Sequence, residues 1–283
     1  MAWHVSCPSP LIGQHVLSLS TSIVTYVPDL AVLARTLASL DRALSSLQAE
    51  RGCEVSICIV DNSPVFELQA LEHGFTGHIR FIGGQGNVGF GRGHNLCLAA
   101  PEEVGDLHLI LNPDVELAPD ALVAAIDFMH AHPDCVLASP AASSDSGERL
   151  SLCKRYPSVL DLGLRGFAPR WLKRRFDARL AQYEMRSTCT DGVSWDIPIV
   201  SGCFMLFRGE ALRRLDGFDP RFFLYFEDFD LSLRAARLGR LAYVPSIRII
   251  HYGGHAARKG WKHVAMFARS GVQFFNKHGW KLW

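Results

Sequence analysis

Apolar positions near the start of the chain follow two different periods. Residues 16–26 are apolar and rich in β-branched and small side chains, which predicts a strand buried on both faces. After Asp29, leucines recur at 30, 33, 37, 40, 44 and 47, and this spacing of three and four predicts one long amphipathic helix. Residues 55–60 predict a second strand. Strand, helix and strand in this order indicate a βαβ unit and a parallel sheet.

The same alternation continues along the first half of the chain. Short strands are predicted at 79–82 and 107–111, separated by a glycine-rich loop and a helix around 94–100. A further helix is predicted from 119 to about 130, and a strand near 135–138. The pattern predicts an α/β fold, followed by a polar surface loop at 141–150.

The amino-acid composition limits which classes of binding partner are expected for this chain. Lys and Arg total 29 against 28 Asp and Glu, so the net charge of +1 gives no electrostatic reason to expect a nucleic-acid partner. The eight cysteines are scattered without close pairs, which predicts reduced, buried thiols in a cytoplasmic protein. No secretory signal is evident, and no run approaches the ~20 apolar residues that cross a bilayer. We expect a soluble protein, or one bound peripherally at the inner face of the cytoplasmic membrane.

A basic helical segment is predicted at 163–186. It contains seven Lys and Arg residues, and its apolar side chains are interleaved with them: Trp171, Leu172, Phe176, Leu180 and Tyr183. Such a segment suits an anionic membrane surface or a phosphorylated lipid carrier. A solvated helix whose apolar stripe packs on the main domain explains the same pattern equally well.

Polar side chains follow two of the predicted strands. Asp61 and Asn62 come directly after the strand at 55–60, and Asn112 and Asp114 follow the strand at 107–111. Ligands of open α/β sheets bind at the carboxyl ends of the strands, where Asp114 could hold a divalent cation that bridges a pyrophosphate. Taken singly, each of these residues could equally be forming a turn.

The segment 83–95 has six glycines in eleven residues, so its backbone amides could closely approach a bound phosphate. Arg92 and Asn95 would add a charge and an amide. The glycine spacing matches neither the Walker pattern nor the dinucleotide fingerprint.

Acidic and aromatic residues are concentrated at 217–240. Glu227, Asp228 and Asp230 begin a predicted helix, and helix capping explains Asp230. The preceding aromatic run could form a wall for a sugar and raise the pKa of a carboxylate toward that of a general base. His251 ends a strand before two glycines and could be a second metal ligand beside Asp114.

Seven segments, read in order, resemble those of family 2 glycosyltransferases: STSIVTYVP, IVDNS, GNVGFGRGHN, LILNPDVEL, VSGCFMLFR, GFDPRFFLYFEDFDLSLR and IIHYGG. The resemblance is strongest to the rhamnosyltransferase-like branch that builds bacterial surface polysaccharides. It runs from about residue 17 to about residue 279. It implies a single GT-A domain over 1–283, with a nucleotide-sugar-binding half at about 15–140 and an acceptor-binding and catalytic half at about 141–283.

The resemblance also implies roles for residues. Asp228, with Glu227, matches the acidic motif that supplies the catalytic base. Asp114 and His251 match metal-binding positions for Mg²⁺ or Mn²⁺, and Asn112 replaces the first Asp of the DxD motif. Trp195 and Tyr225 would line the acceptor and sugar pocket. The implied donor-binding set is Thr25, Tyr26, Asp61, Asn62, Asn87, Gly89, Arg92, Asn95, Asn112, Ser201 and Gly202.

The implied activity is inverting transfer of a sugar from a nucleotide diphosphate donor to a carbohydrate or lipid-linked oligosaccharide acceptor. dTDP-rhamnose is the first choice of donor, and galactofuranose, galactose, fucose or N-acetylglucosamine donors remain open. Two other functions also remain open. A sugar-phosphate nucleotidyltransferase would carry a glycine-rich basic loop after the first strand, and a non-catalytic carbohydrate-binding subunit would have lost its acidic residues.

Overall fold

The fold was described from a computed structural model, which covers residues 16–65, 68, 78–100, 104–253 and 260–283. The strands are β1 Ser18–Thr25, β2 Glu54–Asp61, β3 His78–Ile82, β4 Leu107–Leu111, β5 Val115–Leu117, β6 Cys135–Ser143, β7 Arg149–Leu150, β8 Cys153–Lys154, β9 Ser194–Trp195, β10 Ile199–Val200, β11 Phe204–Arg208 and β12 Arg240–His251. The helices are α1 Leu30–Arg51, α2 Phe90–Leu98, α3 Ala121–Ala131, α4 Val159–Phe167, α5 Arg170–Arg175, α6 Asp177–Tyr183, α7 Gly209–Arg214, α8 Glu227–Ala235 and α9 Trp261–His278.

The leucine spacing after Asp29 forms the predicted helix α1. Asp29 caps it, because its Oδ1 accepts hydrogen bonds from the backbone N–H groups of Ala31 (2.9 Å) and Val32 (3.2 Å). Gly52 ends it in the left-handed conformation at φ +61°. The leucines at 33, 37, 40, 44 and 47 are all buried against the sheet.

The main sheet has the strand order β3-β2-β1-β4-β11-β6-β12-β5. The first four strands are mutually parallel, and β6 and β12 are parallel to each other, whereas β11 runs antiparallel to both β4 and β6. The predicted α/β fold with a mostly parallel sheet is confirmed. Its strands come from both halves of the chain, and the register places Thr25 of β1 directly beside Asp61 of β2.

Buried apolar side chains lie on both faces of this sheet. One core joins the sheet to α1 and α3, and a second joins it to α7 and α8. A third cluster is aromatic and joins α8 to α9 through Phe226, Phe229 and Phe274. No helix in the described ranges is long and apolar enough to cross a membrane.

Two predictions around α2 were wrong. The helix begins at Phe90, one turn before the predicted start. It packs on β2 and brings Cys97 to Cys58, and these two cysteines form a disulfide, so the prediction of reduced thiols fails for this pair. Cys7 lies outside the described residues.

The basic segment is three short helices, α4, α5 and α6, rather than one. Leu180 and Tyr183 of the predicted stripe are buried against the rest of the fold, whereas Trp171 is 69% exposed. The stripe is therefore divided between the protein interior and the surface. The polar stretch at 141–150 is also more ordered than predicted, because β6 continues to Ser143 and pairs with β7.

Candidate functional site

Four polar residues and Gln85 form a strand-end cluster where β1 and β2 terminate: Thr25, Asp61, Asn62, Ser63 and Gln85. Thr25 Oγ1 donates to Asp61 Oδ1 at 2.9 Å. The same oxygen accepts from the backbone N–H and the hydroxyl of Ser63, at 3.0 and 2.5 Å. Asp61 is only 1% exposed, so these three donors satisfy and orient a buried carboxylate.

Gln85 joins the cluster to the glycine-rich loop. Its Nε2 donates to the Asp61 carbonyl (2.9 Å) and to Asn62 Oδ1 (3.1 Å), while Asn62 Nδ2 donates to the Gly89 carbonyl (3.1 Å). Gln85 Oε1 is buried and has no hydrogen-bond partner among the described residues. Sequence reasoning missed Gln85 and Ser63. The signal for Gln85 was its place as the lone side chain in GGQG.

Gly89 brings the glycine-rich loop against the loop before α8. It has φ +91°, and a Cβ there would lie 2.3 Å from the Phe223 carbonyl oxygen. The next N–H, that of Phe90, donates to this oxygen at 3.1 Å. Asn87 Oδ1 accepts from the Gly89 N–H at 3.0 Å. Only glycine permits this close approach.

Arg92 and Asn95 lie elsewhere than predicted. Asn95 donates from Nδ2 to the Phe218 carbonyl and accepts at Oδ1 from the Phe218 N–H, both at 2.8 Å. Arg92 Nε donates to the Pro220 carbonyl at 2.7 Å. Because α2 starts a turn early, both residues are inside the helix and hold the loop before α8 in place. The side-chain amide of Asn95 both donates to and accepts from the Phe218 backbone, so its position is set by that loop.

The side chains of Asp114, which follows β4, and His251, which ends β12, face each other. Asp114 lies in the turn between β4 and β5, and its carbonyl accepts from the Tyr252 N–H at 2.9 Å. His251 Nε2 is 3.3 Å from Asp114 Oδ1. Both atoms are buried, and neither has a hydrogen-bond partner among the described residues. Two unsatisfied lone-pair donors at this separation fit a divalent cation.

Gly253 completes this arrangement. A Cβ at this position would lie 2.5 Å from His251 Nε2 and 2.9 Å from Asp114 Oδ2. The described residues contain no group of three or more His, Cys, Asp or Glu side chains placed to hold a metal. A cation here would therefore have two protein ligands and keep its other positions for phosphate and water. Asn112 precedes Asp114 in the same turn and is half-buried.

The acidic turn, residues 225–228, carries Glu227 and Asp228. Tyr225 and Phe226 have φ of 71° and 67°, a left-handed conformation that is strained for aromatic residues. Asp228 Oδ2 accepts from the Gly202 N–H at 2.9 Å. A Cβ on Gly202 would lie 3.2 Å from the Asp228 Cβ. Gly202 and the acidic turn are therefore in close contact.

Burial dominates the electrostatics of the acidic turn. It raises the pKa of Asp228, and the positive charge of Lys154 opposes this rise. Burial, followed by the negative charge of Asp228, raises the pKa of Glu227 to about 8. Glu227 Oε2 has no hydrogen-bond partner among the described residues. The two carboxyl groups of the acidic turn are therefore both harder to ionise than exposed ones, and only Asp228 has a neighbouring cation, Lys154, that favours its ionised form.

Lys154 is a residue that sequence reasoning missed. It lies on β8 and is buried, with Nζ 5.7 Å from the centroid of the Phe229 ring. Burial lowers the pKa of Lys154, while the charge of Asp228 raises it. Its strand, β8, is only two residues long. The surrounding sequence, SLCKRY, has no pattern that would predict a buried lysine.

Cys203 connects the acidic turn to the Asp114–His251 pair. Its carbonyl accepts from the Asn112 N–H at 2.9 Å, while the preceding residue, Gly202, binds Asp228. Burial is the main cause that raises the pKa of the Cys203 thiol to about 12. The adjacent residues Gly202 and Cys203 therefore link Asp228 to the turn that carries Asp114 through two hydrogen bonds. Ser201 is held beside them, since its N–H donates to the Leu152 carbonyl.

The remaining predicted site residues, Tyr225, Tyr26 and Trp195, lie in three different parts of the structure. Tyr225 belongs to the acidic turn, and its hydroxyl lies 3.0 Å from His263 Nδ1. Tyr26 follows Thr25 and is 55% exposed beside the strand-end cluster. Trp195 lies at the opposite end of the sheet, because β9 pairs with the start of β12, and the guanidinium of Arg240 stacks on its ring at 4.4 Å. It does not join the other predicted residues.

Comparison with known proteins agrees with this arrangement. The sequence profile of glycosyl transferase family 2 matches residues 25–216. The N-acetylglucosaminyl-diphospho-decaprenol L-rhamnosyltransferase of Mycobacterium tuberculosis strain H37Rv is 26% identical over 268 residues, which are 90% of this chain and 86% of that protein. Rhamnosyltransferase WbbL of Escherichia coli K12 is 28% identical over 210 residues, 71% of this chain and 74% of that protein. These relatives support the predicted rhamnosyltransferase-like branch.

Solved structures show the same fold. GalNAc-T7 with UDP, GalNAc and Mn²⁺ has a TM-score of 0.64 at 14% identity, over 93% of this chain and 48% of that chain. The mannosyltransferase PcManGT of Pyrobaculum calidifontis with GDP-Man and Mn²⁺ has a TM-score of 0.59 at 17% identity, over 93% of this chain and 64% of that chain. The chain therefore has a GT-A fold, belongs to glycosyl transferase family 2 and is a glycosyltransferase.

Proposed function

We propose that this enzyme is an inverting glycosyltransferase, with Asp228 as its catalytic base and a divalent cation held by Asp114 and His251. The observation that carries the proposal is that two acidic centres of different character are linked through adjacent residues, Gly202 and Cys203, by hydrogen bonds to Asp228 and to the Asn112 N–H. One centre has unsatisfied ligand atoms that fit a metal, and the other has a buried carboxylate with a raised pKa. A direct displacement at an anomeric carbon can use the first to stabilise the leaving diphosphate and the second to deprotonate the acceptor.

The strand-end cluster is the proposed site for the nucleoside of the donor. Asp61 is fixed by three hydrogen bonds, so it can recognise a sugar hydroxyl without reorganising. Gln85 Oε1 is an unsatisfied acceptor beside it, which suits an N–H group on the edge of a base. A nucleotide held there extends along the strand ends toward the Asp114–His251 pair.

Asp114 and His251 would hold a divalent cation beside the diphosphate of the donor. Such a cation would supply positive charge that neutralises the departing nucleoside diphosphate. The chain holds the pair in place through the Tyr252 N–H, which binds the Asp114 carbonyl, and through Gly253, which leaves room between them. The carboxylate of Asp114 suits both Mg²⁺ and Mn²⁺, and the imidazole of His251 favours Mn²⁺ of the two.

Asp228 removes the proton from the attacking acceptor hydroxyl. The backbone N–H groups of Gly202 and Phe229 orient its carboxylate, each at 2.9 Å. Lys154 keeps it ionised against the effect of burial. The hydroxyl oxygen forms a bond to the anomeric carbon as the bond to the diphosphate oxygen breaks, and one such displacement inverts the configuration.

We propose rhamnose from dTDP-rhamnose as the donor sugar and a lipid-linked saccharide as the acceptor. The support is the similarity to two rhamnosyltransferases, one of which is named for an N-acetylglucosaminyl-diphospho-decaprenol acceptor. Galactofuranose, galactose, fucose and N-acetylglucosamine donors are alternatives that a screen can separate. An acceptor with a lipid carrier would bring the enzyme to a membrane surface.

The test is a screen of nucleotide sugars with Mg²⁺ or Mn²⁺, followed by a transfer assay. A bound donor raises the melting temperature by mass action, and dTDP-rhamnose should give the largest rise. Adding acceptor should then release nucleoside diphosphate. Formation of a nucleotide sugar from a sugar phosphate and a nucleoside triphosphate would instead show a nucleotidyltransferase. Saccharide binding without any release would show a non-catalytic subunit.

A paired variant tests the metal site. Asp114→Ala should weaken donor affinity about tenfold or more in the presence of metal, since one of two protein ligands is lost. Asp120→Ala removes an exposed carboxylate that pairs with Arg248, and it should leave affinity unchanged. Calorimetric titration with and without chelator measures both. Equal donor affinity of the Asp114 variant and the wild type would contradict the metal assignment.

A further inference from the structure

One side of helix α4 is uncovered. Val159, Leu160 and Phe167 are exposed and lie at the spacing of a single helical face. Gly163 and Gly166 lie on the same side, and no protein atom is within 4 Å of the position that a Cβ would take at either. Phe167 is still 58% exposed, although its ring contacts that of Phe267, so most of this apolar side faces solvent.

The C-terminal tail and α5 extend this side at its two ends. The N–H groups of Val159 and Leu160 donate to the carbonyls of Lys281 and Leu282, at 2.8 and 3.1 Å, so the tail runs beside the start of α4. Trp283 is 78% exposed. At the other end Phe167 leads into α5, which exposes Trp171. We call this combined surface of α4, α5 and residues 280–283 the tail face.

The tail face is rimmed by cations that have no internal carboxylate partner. Three arginines near it are neutralised in pairs: Arg165 with Glu184, Arg179 with Asp161 and Arg186 with Asp177. Arg170, Arg174 and Arg175 of α5 form no ion pair with any described residue, and all three are exposed. Lys281 adds a fourth exposed cation beside Trp283.

We propose that the tail face docks on the surface of an anionic phospholipid bilayer. Exposed tryptophans are the side chains that settle at headgroup depth, and neighbouring cations bind lipid phosphates. A second copy of this chain suits the surface less well. A two-fold contact would bring each cationic rim against its own copy and repel it.

The tail face is connected to the acidic turn by aromatic contacts. Phe167 packs on Phe267 with ring centroids 6.2 Å apart, and Phe267 packs on Tyr225 at 5.5 Å. Docking would therefore hold the acidic turn close to the lipid headgroups. If the proposed function is right, this is the depth at which the phosphates of a lipid-linked acceptor would lie.

Vesicle co-sedimentation of the full chain tests the proposal without donor or acceptor, so its result does not depend on the proposed function. The chain should sediment with phosphatidylcholine vesicles that contain phosphatidylglycerol and remain in solution with phosphatidylcholine alone. Added salt should release it. Reversing three charges, in Arg170→Glu with Arg174→Glu and Arg175→Glu, should weaken binding at least about a hundredfold. Trp171→Ala with Trp283→Ala should weaken it about tenfold.

The matched control reverses three arginines on other surfaces: Arg42→Glu with Arg214→Glu and Arg237→Glu. It makes the same change in net charge and should leave vesicle binding near that of the wild type. The melting temperature of each variant verifies that it is folded. Equal weakening by both triple variants would overturn the tail face, as would no binding of the wild type to anionic vesicles. A wild-type dimer that dissociates on the tryptophan substitutions would show instead that the surface joins two copies.

Discussion

The strand-end cluster and the acidic turn both contain buried carboxylates, but they are stabilised in opposite ways. Asp61 receives three hydrogen bonds on one oxygen and sits at the end of a regular strand. Glu227 has a buried oxygen without a hydrogen-bond partner among the described residues, and it follows two aromatic residues in left-handed conformation. The carboxylate of Asp61 is therefore already stabilised before any ligand arrives. The acidic turn holds an unfavourable arrangement that the surrounding aromatic core maintains, as sites of chemistry often do.

The substitution Asp228→Asn should have the largest effect and tests whether the acidic turn, rather than the strand-end cluster, supplies the base. If the acidic turn supplies the base, transfer should fall by about 10²–10⁴-fold while donor affinity, which the strand-end cluster provides, stays unchanged. Asp216→Asn is the control, since Asp216 is exposed and already has a positive φ that Asn tolerates. Turnover and donor binding are measured separately. Normal turnover of the Asp228 variant would remove the assigned base.

Gly253→Ala tests whether the Asp114–His251 pair depends on an open space between its members. The added methyl would lie 2.5 Å from His251 Nε2, so the pair must move apart although no ligand atom is lost. Metal-dependent donor affinity should fall about tenfold or more. Gly192→Ala is the control, because its Cβ would meet no atom within 4 Å. Titration with Mn²⁺ and donor gives the answer, and an unchanged affinity would contradict the paired arrangement.

Lys154→Met should change the acidic turn and leave the strand-end cluster unaffected. The charge of Lys154 lowers the pKa of Asp228, so its removal should move the rising limb of the kcat/KM profile about one pH unit upward. Turnover lost at neutral pH should return at higher pH, which a purely structural defect would not allow. Arg155→Met, at the adjacent exposed position, should leave the profile in place. A profile of lower height with the same midpoint would reject the electrostatic role.

Glu227→Gln tests the stability of the acidic turn rather than transfer. Burial raises the pKa of Glu227 from 4.5 to about 8, so its contribution to stability is fully present below pH 4.5 and is lost as the pH rises through about 8. Gln cannot ionise, and above that range the variant should be more stable than the wild type, by roughly 5 kcal/mol at most for this rise in pKa. Urea unfolding across this pH range measures the difference. Glu210→Gln, at an exposed position, should show no such dependence, and parallel curves for Glu227→Gln would contradict the burial argument.

The sequence predicted what depends on local periodicity. The leucines of α1, the strands that end at Thr25 and Asp61, and the positions of Asp114, Asp228 and His251 are all readable from spacing and order. It did not predict what depends on contacts between distant segments. Asn95 forms two hydrogen bonds with the Phe218 backbone, Trp195 is placed at the far end of the sheet by β9, and Lys154, on a two-residue strand, affects the pKa of Asp228. The Cys58–Cys97 disulfide depends on how α2 packs on β2.

The peptide at Gly89 is shared by both sides of the site. Its carbonyl accepts from Asn62, and the N–H that follows it holds the Phe223 carbonyl just before the acidic turn. If the donor is bound at the strand-end cluster as proposed, a nucleotide that shifts Asn62 would also shift the segment that precedes the acidic turn. Donor and acceptor would then alter each other's dissociation constants by one common factor, through a single hydrogen-bonded peptide.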